Sequence, residues 1–264
     1  MISLNPFYTT IPGTRLKISP LGLGTVKFGR NTAVKYPKSF DLPTKEELAD
    51  LLAFIKERGI NLLDTAPAYG NSEEIIGQLI KQQRTDWIIS TKVGEEYIEN
   101  RSFFDFSQVY VHKSIDRSLT RLGTDYLDIV FIHSNGQDTD IINQTDILPK
   151  LLRLKECGKI RHIGMSTKTV EGGLLALQFC DVLMVEYNQT DTSQIPVIQA
   201  AQAQHKGIFI KKALQSGHFK SEGHSLHESL SFVLDRNISS IVVGSINPKH
   251  ILENIENIVS ILDK

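Results

Sequence analysis

The sequence is poor in cysteine. Two cysteines, Cys157 and Cys180, occur in 264 residues, in no metal or redox motif. We therefore expect free thiols in a reducing compartment rather than a disulfide framework. The formal net charge of -1 argues against nucleic acid or an acidic membrane surface as a partner.

Long apolar runs are also missing. No segment approaches the roughly 20 apolar residues that a membrane-spanning helix needs. Residues 1–17 lack the basic region and the apolar region of a secretory signal. The sequence therefore predicts a cytoplasmic protein, and because it shows no interface motif, a monomer.

Two further motif classes are absent. No G-x-G-x-x-G follows the first apolar run, which weakens the case for an open dinucleotide-binding sheet. No spacing of His, Cys, Asp and Glu predicts a metal site, and no activated serine or cysteine suggests hydrolysis.

Short apolar runs are what the sequence does contain, and they alternate with segments of helical period. Eight runs predict strands: 21–25, 60–64, 87–92, 127–133, 160–166, 182–188, 207–212 and 239–245. Because they are continuously apolar, they are typical of parallel strands that are buried on both faces. Eight strands alternating with eight helices predict an α/β fold of the (β/α)8 TIM-barrel type, with an open doubly wound sheet as the alternative.

The predicted domain organisation is one barrel that spans residues 1–264. A short N-terminal β-hairpin in 7–19 is expected to plug the bottom of the barrel. Two helix starts carry a capping-box pattern, Thr44 with Glu47 and Asn71 with Glu74.

Polar side chains follow three consecutive predicted strands. Asp64 ends the second strand, Lys92 the third and His133 the fourth, and Tyr69 lies in the loop behind Asp64. The carboxyl ends of barrel strands converge on one mouth, so these groups can meet there. Each could have a structural role alone, as a loop cap, a packed ring or a rim histidine. Together they predict an acid–base site in which Asp64 pairs with Lys92.

The chemistry of this set centres on Tyr69. A free tyrosine has a pKa of about 10, and a nearby ammonium stabilises its phenolate form. A shift of the pKa to near 7 would require about 4 kcal/mol of differential stabilisation. Such a phenol can protonate a carbonyl oxygen or deprotonate an alcohol.

Reduction of a carbonyl also needs a hydride source. The loops after the last two strands, "KKALQSGH" and "GSINPKHILEN", combine the basic pair Lys211–Lys212, a glycine turn and a helix start. Barrels commonly bind phosphate at this position, so a phosphate-bearing cofactor is expected there. A charged rim loop and an ordinary turn are the structural alternatives.

With these residues assembled, the sequence resembles the aldo-keto reductase family over nearly its whole length. The resemblance rests on "GLGT" (22–25), "NLLDTAPAYGNSEEIIG", "IISTK", "LGTDYLDIVFIH", "GKIRHIGMS", "VEYNQ" and "VVGSINPKHILEN". The chain is similar to a short, aryl-alcohol dehydrogenase-like member. The resemblance implies a catalytic tetrad of Asp64, Tyr69, Lys92 and His133, with Tyr69 as the general acid. It also implies NADP(H) as the cofactor, with NAD(H) as the alternative, and a small-molecule carbonyl substrate.

The resemblance carries a set of cofactor residues over to this chain. Ser166 corresponds to the contact with the nicotinamide carboxamide. The implied cofactor-binding set is Thr25, Asp64, Ser166, Thr167, Lys211, Lys212, Leu214, Gly217, Gly244, Ser245, Asn247, His250, Glu253 and Asn254.

Four positions depart from the family pattern. Thr167 replaces an asparagine, Met184 a glutamine, Lys211 the aromatic that stacks on the nicotinamide, and His250 an arginine. We therefore expect the residues that contact the nicotinamide ring to pack against it differently from those of other family members.

The chain has little sequence after the last predicted helix, so we expect the loops at 94–106 and 134–140 to form much of the substrate pocket. Phe103 and Phe104 either line an apolar wall or pack on the exposed loop. The leading hypothesis is an NADP(H)-dependent aldehyde or ketone reductase. A cofactor-binding regulatory or redox-sensing barrel with weak turnover and a metal-independent isomerase are the alternatives.

Overall fold

The fold is a closed barrel of eight parallel strands, seen in a computed structural model that describes residues 2–219 and 223–263. The strands are β3 (Leu21–Gly24), β4 (Leu62–Asp64), β5 (Ile88–Val93), β8 (Leu127–His133), β9 (Ile160–Ser166), β10 (Val182–Glu186), β11 (Gly207–Lys211) and β12 (Ser240–Val243). Each strand pairs with the next in this order, and β12 closes on β3. The predicted (β/α)8 barrel is confirmed.

Helices follow the strands around the outside of the barrel, as the sequence predicts. They are α2 (Lys45–Glu57), α3 (Ser72–Leu79), α4 (Gln108–Leu122), α6 (Ile147–Glu156), α7 (Val170–Ala176), α8 (Ile195–Ala203), α9 (Leu226–Leu234) and α10 (Pro248–Leu262). Two short helices come in addition, α1 (Val26–Gly29) and α5 (Asp138–Gln144). Within the part of the chain that the structure describes, none of the helices is long and apolar enough to cross a membrane.

Two antiparallel hairpins lie outside the barrel sheet. The first joins β1 (Thr9–Thr10) to β2 (Lys17–Ile18), as predicted. Ile11 and Ile18 of this hairpin are fully buried against the lower barrel interior, so the hairpin closes the bottom of the barrel. The second hairpin, β6 (Glu95–Ile98) with β7 (Arg101–Phe104), follows β5 where the sequence predicts a loop.

The inside of the barrel is built by the two-residue alternation of side chains along each strand. Ile88, Ser90 and Lys92 occupy alternate positions of β5, while Ile129 and Phe131 precede His133 on β8. The lower members of these sets belong to a buried interior cluster. The upper members are polar, so the interior changes from a packed core to a polar mouth at the carboxyl ends of the strands.

The two predicted capping boxes have different outcomes. Thr44 accepts from the backbone N–H of Glu47, and the Glu47 side chain accepts from the backbone of Thr44. Asn71 makes no capping bond, so that prediction is wrong. The backbone of Asn71, with φ -93° and ψ 15°, lacks the extended conformation that a side-chain cap requires.

Candidate active site

A cleft of about 1230 Å³ opens at the carboxyl ends of the barrel strands. Its walls include all four predicted catalytic residues and most of the predicted cofactor set. The volume exceeds the several hundred Å³ of a typical small-ligand site, so the cleft has room for a large ligand beside a small one.

The buried base of the cleft is an ion pair. The Lys92 ammonium donates to Asp64 Oδ2 at 2.7 Å and to the Thr65 carbonyl at 2.9 Å. The second carboxylate oxygen of Asp64 accepts from the hydroxyl of Ser90 at 2.7 Å. Both ion-pair side chains are at most 4% exposed. The pairing of Asp64 with Lys92 is therefore as the sequence suggested, and Ser90 is an additional member.

Thr25 supports this base from behind. Its backbone N–H and its hydroxyl donate to the Asp64 carbonyl at 2.9 and 3.0 Å. The hydroxyl also lies 2.8 Å from the hydroxyl of Ser72. Thr25 is fully buried and lies outside the cleft wall, so its contacts position β4 and do not support its predicted place among the cofactor residues.

Tyr69 reaches the mouth through a tight turn. A one-turn 3₁₀ helix, Pro67–Tyr69, follows β4, and Gly70 reverses the chain with φ +64°. A Cβ on Gly70 would lie 2.1 Å from the carbonyl oxygen of Gly29, so both the positive φ and the close approach require glycine. The turn places the Tyr69 ring centroid 4.8 Å from the Lys92 ammonium. The ring also meets the His133 ring edge to face, with centroids 6.4 Å apart.

The protonation states of the pair follow from burial and charge. Burial disfavours the ammonium of Lys92, but the Asp64 carboxylate beside it outweighs burial and raises the pKa of Lys92. Burial also raises the pKa of Tyr69, although Lys92 acts in the opposite direction. The site therefore holds a charged lysine beside a protonated phenol, rather than a phenol tuned to near neutrality.

His133 has a partner that the sequence did not reveal. Its Nδ1 lies 2.8 Å from Glu95 Oε2 at the start of the β6–β7 hairpin. Burial lowers the pKa of His133, an effect that Glu95 partly offsets. Burial disfavours ionisation of Glu95, but His133 and Ser102 outweigh it and lower its pKa to about 2. The carboxylate thus lies against the imidazole from outside the barrel.

The opposite side of the mouth is formed by the ends of β9, β10 and β11. The Lys211 ammonium donates to the Ser166 hydroxyl at 2.8 Å and to the Thr167 carbonyl at 3.2 Å. Burial lowers the pKa of Lys211 to about 8. The Met184 side chain is buried beside them, at 2% exposure. These residues form a polar and cationic surface where the family pattern places an aromatic ring.

A turn after β11 forms the next part of the wall. Lys212 pairs with the Glu186 carboxylate. The turn continues through Leu214 to Gly217, and Lys212, Gln215, Ser216 and Gly217 all have positive φ. Lys212, Leu214 and Gly217 line the cleft.

The start of α10 forms the last part of the wall. Gly244, Ser245, His250, Glu253 and Asn254, all members of the predicted cofactor set, line the cleft.

Asn247 does not line the cleft. Its side chain accepts from the backbone N–H of Lys249 at 3.0 Å and caps α10.

The loop between α1 and α2 also reaches this wall, which the sequence did not indicate. A Cβ on Gly244 would lie 2.4 Å from the hydroxyl of Tyr36, and Pro37 lies against Gly217. The Lys27 ammonium lies 4.0 Å from the centroid of the Tyr36 ring. The two residues proposed for an apolar substrate wall, Phe103 and Phe104, are exposed at 52% and 38% and lie outside the cleft.

The cleft fits a phosphate-bearing dinucleotide. The hydroxyl of Thr167 is buried and has no hydrogen-bond partner among the described residues, although it lines the cleft. A turn with several positive-φ residues can present backbone N–H groups to an anion, as can the start of a 15-residue helix such as α10. Across residues 2–219 and 223–263, no group of His, Cys, Asp and Glu is arranged to hold a metal ion.

Comparisons with known proteins agree with this architecture. Residues 20–225 match the sequence model of the Aldo/keto reductase family. A solved structure of a candidate aldo-keto reductase from Pseudomonas aeruginosa is 44% identical, with a TM-score of 0.91 over 99% of this chain and 98% of that one.

Several relatives carry named activities. L-galactose dehydrogenase from Arabidopsis thaliana is 29% identical over 92% of this chain and 85% of its own length. An NADH-specific methylglyoxal reductase from Escherichia coli is 31% identical over 67% of this chain and 58% of that protein. Alignments with three further relatives span 46–48% of those proteins' length.

Proposed function

Because this chain belongs to the aldo-keto reductase family of oxidoreductases, we propose that it reduces an aldehyde or ketone to the alcohol with NADP(H) and with Tyr69 as the general acid. The observation that carries this proposal is the arrangement of the mouth. A protonated phenol lies there beside a charged, buried lysine and a histidine, in a cleft with room for a cofactor and a small carbonyl compound.

Tyr69 is suited to donate a proton to a carbonyl oxygen. Its raised pKa keeps the proton on the hydroxyl near neutral pH. When the proton leaves, the negative charge develops beside the Lys92 ammonium, and an opposite charge at this range stabilises it. Asp64 fixes the position of Lys92 and keeps it charged.

His133 would orient the carbonyl compound at the same mouth. Its lowered pKa favours the neutral imidazole, which can donate one hydrogen bond. With that proton on Nε2, the imidazole would donate its hydrogen bond to the carbonyl oxygen, and Tyr69 would remain the acid.

A nicotinamide dinucleotide bound in the cleft would supply the hydride for the carbonyl carbon. Ser166, Thr167 and Lys211 would hold its nicotinamide end, at the side of the mouth opposite Tyr69. The residues proposed for its phosphates and adenosine are Lys212, Leu214, Gly217, Gly244, Ser245, His250, Glu253 and Asn254.

We favour NADP(H) over NAD(H) because His250 lies in the first turn of α10 with Lys249 beside it. The Lys249 ammonium and a ring N–H of His250 are hydrogen-bond donors that would suit an adenosine phosphate. The relative described as NADH-specific supports the alternative. If NADP(H) is the cofactor, His250→Ala weakens the binding of NADPH more than that of NADH, as measured by quenching of protein fluorescence.

The proposal includes the chain as a single barrel domain that acts as a cytoplasmic monomer. Light scattering coupled to size-exclusion chromatography tests the assembly. A mass of one chain supports it, and a mass of two chains contradicts it.

The test of the function compares wild type with Tyr69→Phe. Both proteins are mixed with NADPH and a panel of aldehydes, and the loss of NADPH absorbance is followed. We expect the variant to bind NADPH as wild type does but to turn over at least about 100-fold more slowly, the effect of losing a general acid.

Tyr126→Phe is the matched control. Tyr126 lies just before β8, at the opposite end of the barrel, with its ring between Arg84 and Arg161. Its loss should leave turnover unchanged. NADPH binding without turnover of any aldehyde by wild type would instead favour a regulatory barrel.

A further inference from the structure

We propose that Lys211 makes the cleft discriminate against the oxidised, positively charged nicotinamide, so that the protein binds the reduced cofactor more tightly and releases the oxidised cofactor readily. This inference rests on the proposed function, since it requires a nicotinamide cofactor in the cleft. It adds a residue that sets which redox form of the cofactor the chain prefers.

The position of Lys211 carries the argument. Lys211 ends β11 and lines the cleft wall. The oxygens that its ammonium contacts, the Ser166 hydroxyl and the Thr167 carbonyl, are both neutral. Glu186 is next to Lys211 in the strand register, but its carboxylate pairs with Lys212. The Lys211 ammonium therefore lies at the cleft wall without an ion-pair partner of its own among the described residues.

The charge lies at the mouth where the chemistry would occur. Lys211 is near enough to His133 to lower the pKa of that residue, and near enough to Lys92 for the two ammonium groups to oppose each other. A hydride donor that serves a carbonyl compound held at Tyr69 must occupy this same space. The oxidised ring carries one positive charge, whereas the reduced ring is neutral, so Lys211 repels only the oxidised form.

The size of the effect follows from two like charges in a partly buried cleft. At a separation of about 5 Å and an effective dielectric constant between those of a protein surface and water, the repulsion corresponds to about a tenfold difference in affinity. A hydrogen bond from Lys211 also fixes the Ser166 oxygen, which leaves the Ser166 proton free for a ligand carbonyl.

The discrimination is expected to depend on pH. The charged groups that act on Lys211 are Lys212, Glu186, Lys168 and Lys92, and burial lowers its pKa to about 8. As the pH rises through that value, Lys211 loses its charge and its repulsion of the oxidised ring disappears. Binding of the oxidised cofactor below that pH should conversely release a proton from Lys211.

The experiment measures dissociation constants of NADP⁺ and NADPH, and of NAD⁺ and NADH, for the intact chain. For each protein, the dissociation constant of the oxidised cofactor is divided by that of the reduced cofactor. This ratio is compared in wild type, Lys211→Met and Lys211→Arg, at about pH 7 and at about pH 9.5. A nicotinamide-free ligand, 2′-phospho-ADP-ribose, is the matched control for the phosphate contacts. Calorimetry in buffers of different ionisation enthalpy reports the proton release.

We expect the ratio in wild type at about pH 7 to exceed that in Lys211→Met by about tenfold and to approach it at about pH 9.5. Lys211→Arg should keep the high ratio at both pH values, because arginine does not titrate in this range. Because 2′-phospho-ADP-ribose has no nicotinamide ring, its affinity should be the same in wild type and Lys211→Met, so that the change in the ratio arises at the ring.

An equal ratio in wild type and Lys211→Met, with both cofactors bound, would overturn the inference and leave the proposed function intact. A wild-type protein that binds none of the four cofactors would overturn the proposed function itself. Circular dichroism of each variant verifies that the barrel is folded before the constants are compared.

Discussion

Removal of the Asp64 carboxylate should expose how strongly the buried ion pair determines stability. In Asp64→Asn the Lys92 ammonium, 2% exposed in the wild type, loses its counter-charge and keeps neutral oxygens such as the Thr65 carbonyl at 2.9 Å. Loss of one partner of a buried pair costs about 3–5 kcal/mol of the free energy of unfolding. For a chain of this length, that loss lowers the thermal midpoint by about 5–9 °C.

Thermal unfolding followed by circular dichroism measures this effect in four proteins. They are wild type, Asp64→Asn, Lys92→Met and the double variant. Because the double variant leaves no unpaired charge, it should be more stable than Asp64→Asn alone. Asp86→Asn is the matched control, since it breaks an ion pair of 2.6 Å with Lys56 whose side chains are 40% or more exposed. That change should cost about 0–1 kcal/mol.

Two results would refute the reasoning. One is a loss in Asp64→Asn as small as that in Asp86→Asn. The other is a double variant whose loss equals the sum of the two single losses, because the two side chains would then be energetically independent.

Two further predictions concern the parts that position the tetrad. In Glu95→Gln, the pKa of His133 should fall further, because the carboxylate that offsets its burial is gone; NMR titration of the imidazole that shows no change would contradict the contact. The pKa of Glu95 is lowered from 4.5 to about 2, so ionised Glu95 stabilises the fold. This stabilisation is present above about pH 4.5 and is lost as the pH falls through about 2. Over this range the free energy of unfolding of wild type should approach that of Glu95→Gln. Gly70→Ala should cost more than about 1 kcal/mol and also reduce turnover, because the new Cβ meets a carbonyl oxygen and displaces Tyr69. Gly123→Ala, at φ +61° with nothing within 4 Å, should carry the backbone strain alone and leave turnover unchanged.

The barrel could be predicted from the sequence because each strand is a short apolar run followed by a helix. The central part of the site could also be predicted from the sequence, since Asp64, Lys92 and His133 each end one of those runs. The two-residue alternation along β5 places Ser90 on the same face as Lys92, so this contact to Asp64 could have been found too.

The remaining features depend on tertiary contacts that local patterns do not encode. Glu95 lies in a hairpin with polar and exposed positions, and only the fold brings it to His133. The family motifs predict cofactor-binding roles for Thr25 and Asn247. In the structure the Thr25 side chain instead donates to the Asp64 carbonyl, and the Asn247 side chain caps α10. The pKa of Tyr69 depends on the balance between burial and Lys92, which spacing alone does not give.

The most direct test of the central claim is transfer of deuterium from a nicotinamide cofactor labelled at the reactive carbon. The labelled cofactor is incubated with an aldehyde that the wild-type protein consumes, and the alcohol is analysed by NMR. We predict deuterium on the carbinol carbon with wild type and a rate at least about 100-fold lower with Tyr69→Phe. Unlabelled alcohol, or an equal rate of labelling by the two proteins, would contradict the account.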